Sequence, residues 1–565
     1  MFQNLEFNGK QFSGGIDFGT EDQPECLKPE LATDALVFMA VSQKWKVKIP
    51  LGFFLINRLN ARERANLVNL AIQKLEDTGA YVVSIVCDAP IVHQSVLKKL
   101  GVNLSTGELN PNFTIDGVGH SICAFLDALH AIKNIRNAWE SVGTIYTKKG
   151  EAIRWDYLVE LYNIQSHRGI VLANKLNANH IYFHNQKQKV KFATQLFSLS
   201  TANGLKYMRE VIKHPNFEGS EATEEFLVII NNTFDILNSR GMCDLKLKCS
   251  LGKYNKNLAF HHLNKAEELL AGLKLEGGEL VINSRKRIGF ISLMLNSLAV
   301  KELYQSLVVS GSMKFLSTWY FNQDSLENFF SCVRSRFGAN NNPTSSQFKN
   351  MYRRLLLGIT GNVAMNVNAN VMINSECDLT SISTSTKEKM EMIIPSVEAE
   401  EAEVKDLYMC QYDRDIAAYI GGFVIRKIDK NVKCASCTRG LKTSKPADKS
   451  LTSIKDNGGL IYLHEDISKA FLVAEKQLSK SLSLNNALSD AYFVEKTSIK
   501  IQKACHDLIP NLSVHFDEHF SSTFKLMINI YICVRSKYFA KDTNIEMKKN
   551  QTRQKLNRLV LFRHL

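Results

Sequence analysis

"YVVSIVCDAP", residues 81–90, is a β-branched run that ends on an acid, Asp88. The segment before it, "ARERANLVNLAIQKLEDTG", has apolar residues at helical spacing through Leu67, Leu70, Ile72 and Leu75, and Gly79 stops it. Further upstream, 12–16 and 35–41 favour strands, and "IPLGFFLI" (49–56) reads as a third, buried strand in the same sheet. Downstream, "SICAFLDALH" ends another strand on Asp127, ahead of the helical "AIKNIRNAWESV". This order of strands and helices predicts a mixed sheet flanked by helices. Ligands gather at the carboxyl ends of strands in such sheets, so Asp88 stands where chemistry is done. The competing reading of a strand-terminal aspartate is a helix N-cap or an Asx-turn.

At 565 residues the chain exceeds one ordinary core, and length alone suggests roughly three or four domains. With 45% hydrophobic and 22% charged residues it has the composition of a globular protein rather than a disordered one. Lysine and arginine number 70 against 56 acids, giving +14, a sign that suits a polyanion such as nucleic acid and equally serves solubility. The 12 cysteines are scattered, many in apolar runs, which suggests a reducing compartment with thiols packed as small hydrophobes. The start, "MFQNLEFNGKQ", has no basic region followed by an apolar stretch, so no signal peptide is expected. No apolar run approaches about 18 residues, so no membrane span is expected either.

From roughly 150 to 310 the chain turns mainly helical, with "KVKFATQLFSLSTANGLKYM" and "ATEEFLVIINNTFDILNSRGM" as amphipathic segments of a separate domain. Helical signal resumes at "QDSLENFFSCVRSRF" and stops at the Asn-rich "GANNNPT". The Ser/Thr stretch "SECDLTSISTSTKEKMEM" and the acidic "SVEAEEAEVKD" read as a flexible linker. A last helical unit holds "YIGGFVIRK", "NGGLIYLHED" and one Cys-x-x-Cys at Cys434 and Cys437. Those cysteines have zinc-knuckle spacing, with only His464, Cys505 and His506 as distant partners, so zinc is a weak reading. The segment 533–565 carries nine basic residues against two acids, fitting a phosphate contact or a solvated helix face.

Asp324 and Glu327 are three residues apart and share a helix face, so both can look toward Asp88. Converging carboxylates are hard oxygen donors that hold the magnesium ions of phosphoryl transfer. An acid pair at a helix start also favours the macrodipole, and the residues alone leave both readings open. Phe329 and Phe330 are expected to pack that helix onto the sheet, with Arg334 and Arg336 facing phosphate or solvent. No GxxxxGK[ST] loop occurs, so no P-loop nucleotide site is expected.

"FNQDSLENFFSCVRSRFGANNNPT", "VVSIVCDA", "KQKVKFATQLFS", "FDILNSR", "YIGGFVIRKI" and "NGGLIYLHED" together resemble blocks of the P-element family of DNA transposases. The resemblance implies an α/β ribonuclease-H-like domain interrupted by a mainly helical GTP-binding insertion and followed by a helical C-terminal region. The implied boundaries are 1–148 and 311–370 for the two parts of the ribonuclease-H-like domain, 149–310 for the insertion, 371–410 for the linker and 411–565 for the C-terminal domain. Asp88 and Glu327 would be the second and third metal-binding, catalytic carboxylates. GTP contacts would fall on Lys175, Lys189, Val190, Asp235, Asn238 and Asp324. Mg²⁺ and GTP are the implied cofactors, DNA and self-association the implied partners, with no membrane, and the nucleus the implied location.

Two features depart from the family pattern. Its N-terminal zinc-binding THAP module is missing from the sequence, and the strand bearing its first catalytic aspartate falls, by register, before Met1. Asp17 is the nearest acid and would sit on the second strand. The expectation is therefore an N-terminally truncated P-element-like transposase, whose Mg²⁺-dependent cleavage and strand transfer would be weakened by a lost metal ligand. The alternative is a domesticated, non-catalytic DNA-binding or repressor-like derivative.

Overall fold

The computed structural model describes residues 6–7, 12–17, 31–45, 47–241, 247–335, 343–360, 410–429, 440–483, 493–505 and 522–540. It divides into two compact units: Met1–Glu151 with Gln188–Thr194 and Ile229–Ser383, and Ala152–Lys187 with Gln195–Val228 and Thr384–Leu565. Among the described residues no helix is long and apolar enough to cross a membrane.

The first unit opens with a short antiparallel pair, β1 (Glu6–Phe7) and β2 (Phe12–Ser13). The longer hairpin β3 (Asp34–Val41) and β4 (Lys48–Ile56) follows, with a register shift at Phe38/Met39. The strand expected at 12–16 is shorter than its composition suggested. The segment meets the hairpin at Asp17, through an isolated bridge to Leu55, because strand pairing depends on the neighbour available rather than on local preference.

Helix α1 (Ala61–Glu76) starts at a capping box in which Asn60 Oδ1 accepts the Arg62 and Glu63 amides and Glu63 accepts the Asn60 amide. β5 (Ser84–Cys87) follows, then α2 (Ile91–Leu100), which Gly101 ends in the left-handed region at φ 108°. β6 (Asn112–Phe113) and β7 (Ile122–Leu126) complete a three-stranded sheet ordered β5-β7-β6, parallel between β5 and β7 and antiparallel between β7 and β6. The pairing is mixed, as the element order predicted, but the sheet is smaller than expected: the hairpin β3–β4 forms a separate two-stranded sheet, and β4, read as a buried strand, exposes Ile49 and Leu51 because no second layer covers that end among the described residues. All five residues of β7 are buried, which explains its unbroken apolar run. Ile122, Phe125 and Leu126 each contribute about 1.5–3 kcal/mol by leaving water.

Helix α3 (Ala128–Val142) leaves directly from β7. Beyond β6 the last residue of β7 has no strand partner on that side among the described residues, and Asn296 takes the place of one. Its amide accepts the Leu126 N–H at 2.9 Å and donates to the Leu126 carbonyl at 2.5 Å. Asn296 lies on the helix Ile288–Leu303, which approaches α3 closely at Gly289. A Cβ there would lie 2.8 Å from both the Ala131 carbonyl oxygen and the Ile135 amide nitrogen. Glycine is thus required by the contact that fixes α3.

A second core joins the hairpin to the helices Asp324–Ser335 and Ser345–Thr360 through Val37, Leu55, Phe329, Val333, Phe348, Met351 and Tyr352. Phe329 is fully buried there and Phe330 packs against the cluster, as expected from the sequence.

The second unit is mainly helical. Its C-terminal core gathers the helices Gln411–Ile428, Glu465–Ser483, Phe493–Cys505 and 522–540 around Ile425, Phe471, Leu478, Ile501 and Ile528. The adjacent glycines of "YIGGFVIRK" are contact glycines: a Cβ on Gly421 would strike the Phe471 ring, and one on Gly422 would lie 2.6 Å from the Ile461 carbonyl oxygen. In "NGGLIYLHED", Gly458 and Gly459 adopt φ of 87° and 125°, a turn that only glycine takes without strain. Arg336, the linker, Cys434, Cys437, His506 and the basic stretch beyond residue 540 lie outside the described residues. Of the remaining zinc candidates, His464 faces Asp466 and Cys505 donates to the Ala470 carbonyl.

Candidate functional site

The parallel pairing of β5 with β7 sets Cys87 opposite Leu126, so the strands end side by side on Asp88 and Asp127. The Asp127 amide donates to the Cys87 carbonyl at 2.9 Å, closing the ladder at that edge. Asp127 is the N-cap of α3 and accepts the Leu129 N–H at 3.0 Å. It is therefore both a cap and, through its second oxygen, a candidate ligand. Its side chain is buried, and burial pushes its carboxyl up to about 6, against the pull of His130 and the Leu129 amide.

One helical turn on, His130 lies between two carboxylates, with Nδ1 3.7 Å from Asp127 Oδ2 and Nε2 3.5 Å from Glu327 Oε1. Asp127, His130 and Glu327 each offer a ligand atom, and those atoms lie within 4.8 Å of one another. The Glu327 side chain is 59% exposed, so the cluster opens to solvent on that side. The imidazole hydrogen bond lowers the Glu327 carboxyl, and the same bond raises His130. Lys133, one more turn along α3, feels the fields of Asp127, Glu327 and Asp88, although burial dominates and lowers it.

The sequence reading placed Asp88 and Glu327 in this site. Glu327 is in the cluster. Asp88 sits at the neighbouring strand end in direct contact with His93 Nδ1. Burial raises its carboxyl, but the His93 hydrogen bond and the charges of His93 and His130 outweigh that and hold it low. Asp17 does not join; its carboxylate takes Lys349 Nζ at 2.7 Å. Asp127 was visible beforehand only as a strand-terminal acid, and His130 was missed. The available signal was "DALH", an acid and an imidazole three apart at a strand-to-helix junction, where the first helical turn puts both on one face.

The residues named for the nucleotide separate into groups. In the first unit, Asp324 opens its helix with Oδ2 3.7 Å from Arg240 Nη2 and 3.2 Å from Asn322 Nδ2, and burial raises its carboxyl. Asn238 and Arg240 follow the helix Glu221–Leu237, whose end is tied to the same stretch: Ser239 accepts the Trp319 amide at 3.3 Å, and its amide donates to Thr318 Oγ1 at 3.0 Å. Asp235 lies on that helix with Lys248 Nζ at 3.6 Å. Lys189 and Val190 adjoin α3, where Arg136 Nη1 donates to the Lys189 carbonyl at 3.3 Å and Lys133 Nζ to Gln188 at 2.9 Å. Lys175 is an exposed residue of the second unit, in the loop before the short helix Ala178–Ile181.

Four family models match the chain: the TNP-like RNase H N-terminal domain over residues 1–101, the TNP-like GTP-binding insertion domain over 129–250, the TNP-like RNase H C-terminal domain over 320–353, and the C-terminal domain of DNA transposase THAP9 over 407–541. The chain belongs to the P-element-type transposase family. Human DNA transposase THAP9 is 27% identical over 504 residues, covering 84% of this chain and 54% of that protein. The Transposable element P transposase of Drosophila melanogaster is 29% identical over 404 residues, covering 69% and 51%. The chain thus spans about half the length of these curated relatives. The Drosophila P element transposase strand transfer complex matches at 26% identity with a TM-score of 0.52, covering 62% of this chain and 75% of that one. The fold is accordingly a ribonuclease-H-like α/β domain interrupted by a GTP-binding insertion and followed by a helical C-terminal region. Glu327 falls in the segment matched by the C-terminal RNase H model, Asp88 in that of the N-terminal one, and His130 in that of the insertion.

Proposed function

We propose that this chain is a P-element-like transposase whose site carries out divalent-metal-dependent DNA cleavage and strand transfer with GTP as a cofactor. The observation that carries the reading is the meeting of Asp127, His130 and Glu327 beside the Asp88 strand end. Asp127 supplies a hard oxygen donor from the buried side and Glu327 one from the side open to solvent, which fits a magnesium ion, and Asp88 is the adjacent carboxylate to complete its oxygen shell. When bound, such an ion stabilises charge on the attacking and leaving oxygens. The chain's own residues orient and screen: His130 holds Glu327 by one ring nitrogen and faces Asp127 with the other, and Lys133 adds positive charge for a phosphodiester.

On the nucleotide side, Asn238 Oδ1 is buried with no hydrogen-bond partner among the described residues, an acceptor that a base N–H satisfies. Asp324 and Asp235 add carboxylates nearby in the same unit, with Lys175, Lys189 and Val190 as the further members of the set. DNA, self-association and a nuclear location belong to the same reading. The domain limits that go with it are 1–148, 149–310, 311–370, 371–410 and 411–565.

The test is magnesium-dependent cleavage or strand transfer of DNA by the purified chain, with Glu327→Ala beside it. Loss of activity in the variant is expected, and equal activity in both would sink the site assignment. A second reading is favoured by the engagement of Asp88 with His93: a non-catalytic DNA-binding derivative. That reading requires salt-sensitive DNA binding without metal-dependent cleavage in the unmodified chain.

A further inference from the structure

Trp319 lies between the helix Asp324–Ser335 and the end of the Glu221–Leu237 helix, and two cations are held over its ring. Arg240 Cζ is 4.1 Å and Lys48 Nζ 4.8 Å from the ring centroid. Lys48 comes from β4, Arg240 from the segment after the Glu221–Leu237 helix, and Trp319 from the turn Thr318–Phe321, so three separated stretches of the first unit converge. Asp324 is the acid that faces them, 3.7 Å from Arg240. Burial lowers the Lys48 ammonium, Asp324 opposes that and the charge of Arg240 adds to it. Like charges gathered on one indole repel, and one carboxylate between them leaves the group with positive charge to spare. The unpartnered Asn238 Oδ1 lies two residues before Arg240.

We propose that Arg240 and Lys48, held by Trp319, form a clasp for the phosphate of a nucleotide. The guanidinium supplies a forked donor pair and the ammonium a point charge, while the indole holds both in place and leaves the planar guanidinium as a surface for a base to stack on. Asp324 occupies Arg240 while no phosphate is present. The clasp rests on the reading of this region as a nucleotide site, but its operation requires neither metal nor strand cleavage. Two sources present the same chemistry: a free nucleoside triphosphate, and the backbone of a nucleic-acid strand on its way to Glu327.

Binding is measured in EDTA with the full chain, using GTP in one arm and a fluorescein-labelled DNA oligonucleotide at several salt concentrations in the other. Arg240→Gln and Lys48→Gln are each expected to weaken binding about tenfold in at least one arm, and Arg240→Lys by less, since it keeps the charge and loses the fork. In the oligonucleotide arm each charge removal lowers the salt slope by about 1. Asp324→Asn, by releasing Arg240, tightens oligonucleotide binding. A loss confined to GTP assigns the clasp to the free nucleotide, and a loss confined to the oligonucleotide assigns it to the strand. Wild-type affinity and slope for a normally melting Arg240→Gln protein overturn the proposal. Equal losses in Arg240→Gln and Arg240→Lys accompanied by a lowered melting midpoint also overturn it, because they mark a purely structural residue. Failure of the transposase reading shows separately, as absent metal-dependent cleavage in a chain that still binds both probes through these residues.

Discussion

Two charged clusters of this molecule each centre on a glutamate and use it for opposite ends. In the second unit Glu475 accepts Tyr531 Oη at 2.6 Å, Arg535 Nε at 2.8 Å and Arg535 Nη2 at 2.7 Å, and Arg535 also donates to the Gly169 carbonyl at 2.8 Å. Glu475 and Arg535 side chains are only 1% and 7% exposed. In the first unit the contacts of His130 to Asp127 and Glu327 are 3.7 and 3.5 Å, and Glu327 is mostly in water. Short, enclosed and bidentate pairing leaves no room for a ligand and locks helices together. Long contacts around an open carboxylate leave donor capacity free for something that binds.

The sharpest way to break that contrast is to remove one partner from each cluster. Glu475→Leu strands the buried Arg535 guanidinium, and unfolding in urea is expected to show a loss of about 3–5 kcal/mol. Removing both partners, Glu475→Leu with Arg535→Leu, recovers much of it, since two apolar groups leave no orphaned charge. A single variant as stable as the parent would mean the network holds nothing together.

Glu327→Gln should do the reverse. Its exposed side chain contributes within about 0.5 kcal/mol to folding, yet metal-dependent DNA cleavage is expected to fall on the order of a hundredfold or more. A variant that unfolds with its activity per folded molecule intact would move Glu327 into the structural class.

How much of this could be read from the amino-acid sequence follows the range of the interactions. β5, β7 and the position of Asp88 at a strand end were legible because β-branched runs and their stops are local signals. Phe329 and Glu327 were legible as opposite faces of one amphipathic helix. The segment 12–16 was legible only in part, since a strand exists only with its partner: Phe12–Ser13 pairs with β1, and the bridge to β4 lies at Asp17. The union of His130 with Glu327 spans nearly 200 residues, and nothing at either position announces the other. Arg240, Trp319 and Lys48 were hidden for the same reason. The glycines of "YIGGFVIRK" stood out in the sequence, but their cause, the Phe471 ring and the Ile461 carbonyl, appears only once the helices are packed.

A packing variant tests whether the open cluster depends on a rigid support. Gly289→Ala would bring a Cβ within 2.8 Å of α3 backbone at Ala131 and Ile135, so α3 must shift to accommodate it. The expected loss is about 1–3 kcal/mol in urea unfolding, as for an overpacked core. Because α3 carries His130, cleavage should fall by more than the stability loss accounts for. Activity that tracks the folded fraction alone would show that the cluster tolerates movement of its helix.

The smallest effect is a pH slope belonging to the second unit. Lys455 donates to the Leu172 carbonyl at 2.5 Å and lies over the Tyr419 ring at 4.5 Å, and burial lowers its ammonium to about 7. Below that pH the folded and unfolded chains both hold the proton, and the full cost of enclosing the charge weighs against folding. Between about 7 and the ordinary lysine value the unfolded chain binds a proton that the folded chain does not, so stability rises with pH, by at most about 1.4 kcal/mol per unit. Urea midpoints measured at pH 7.5 and 8.5 should therefore separate in the parent, with the higher midpoint at the higher pH. Lys455→Met keeps the methylene packing and removes the titrating group, so its midpoints should differ less than those of the parent. Equal spacing in both proteins would assign the slope to other groups and leave Lys455 charged in the folded chain, an enclosed cation stabilised by the Leu172 carbonyl and the Tyr419 ring alone.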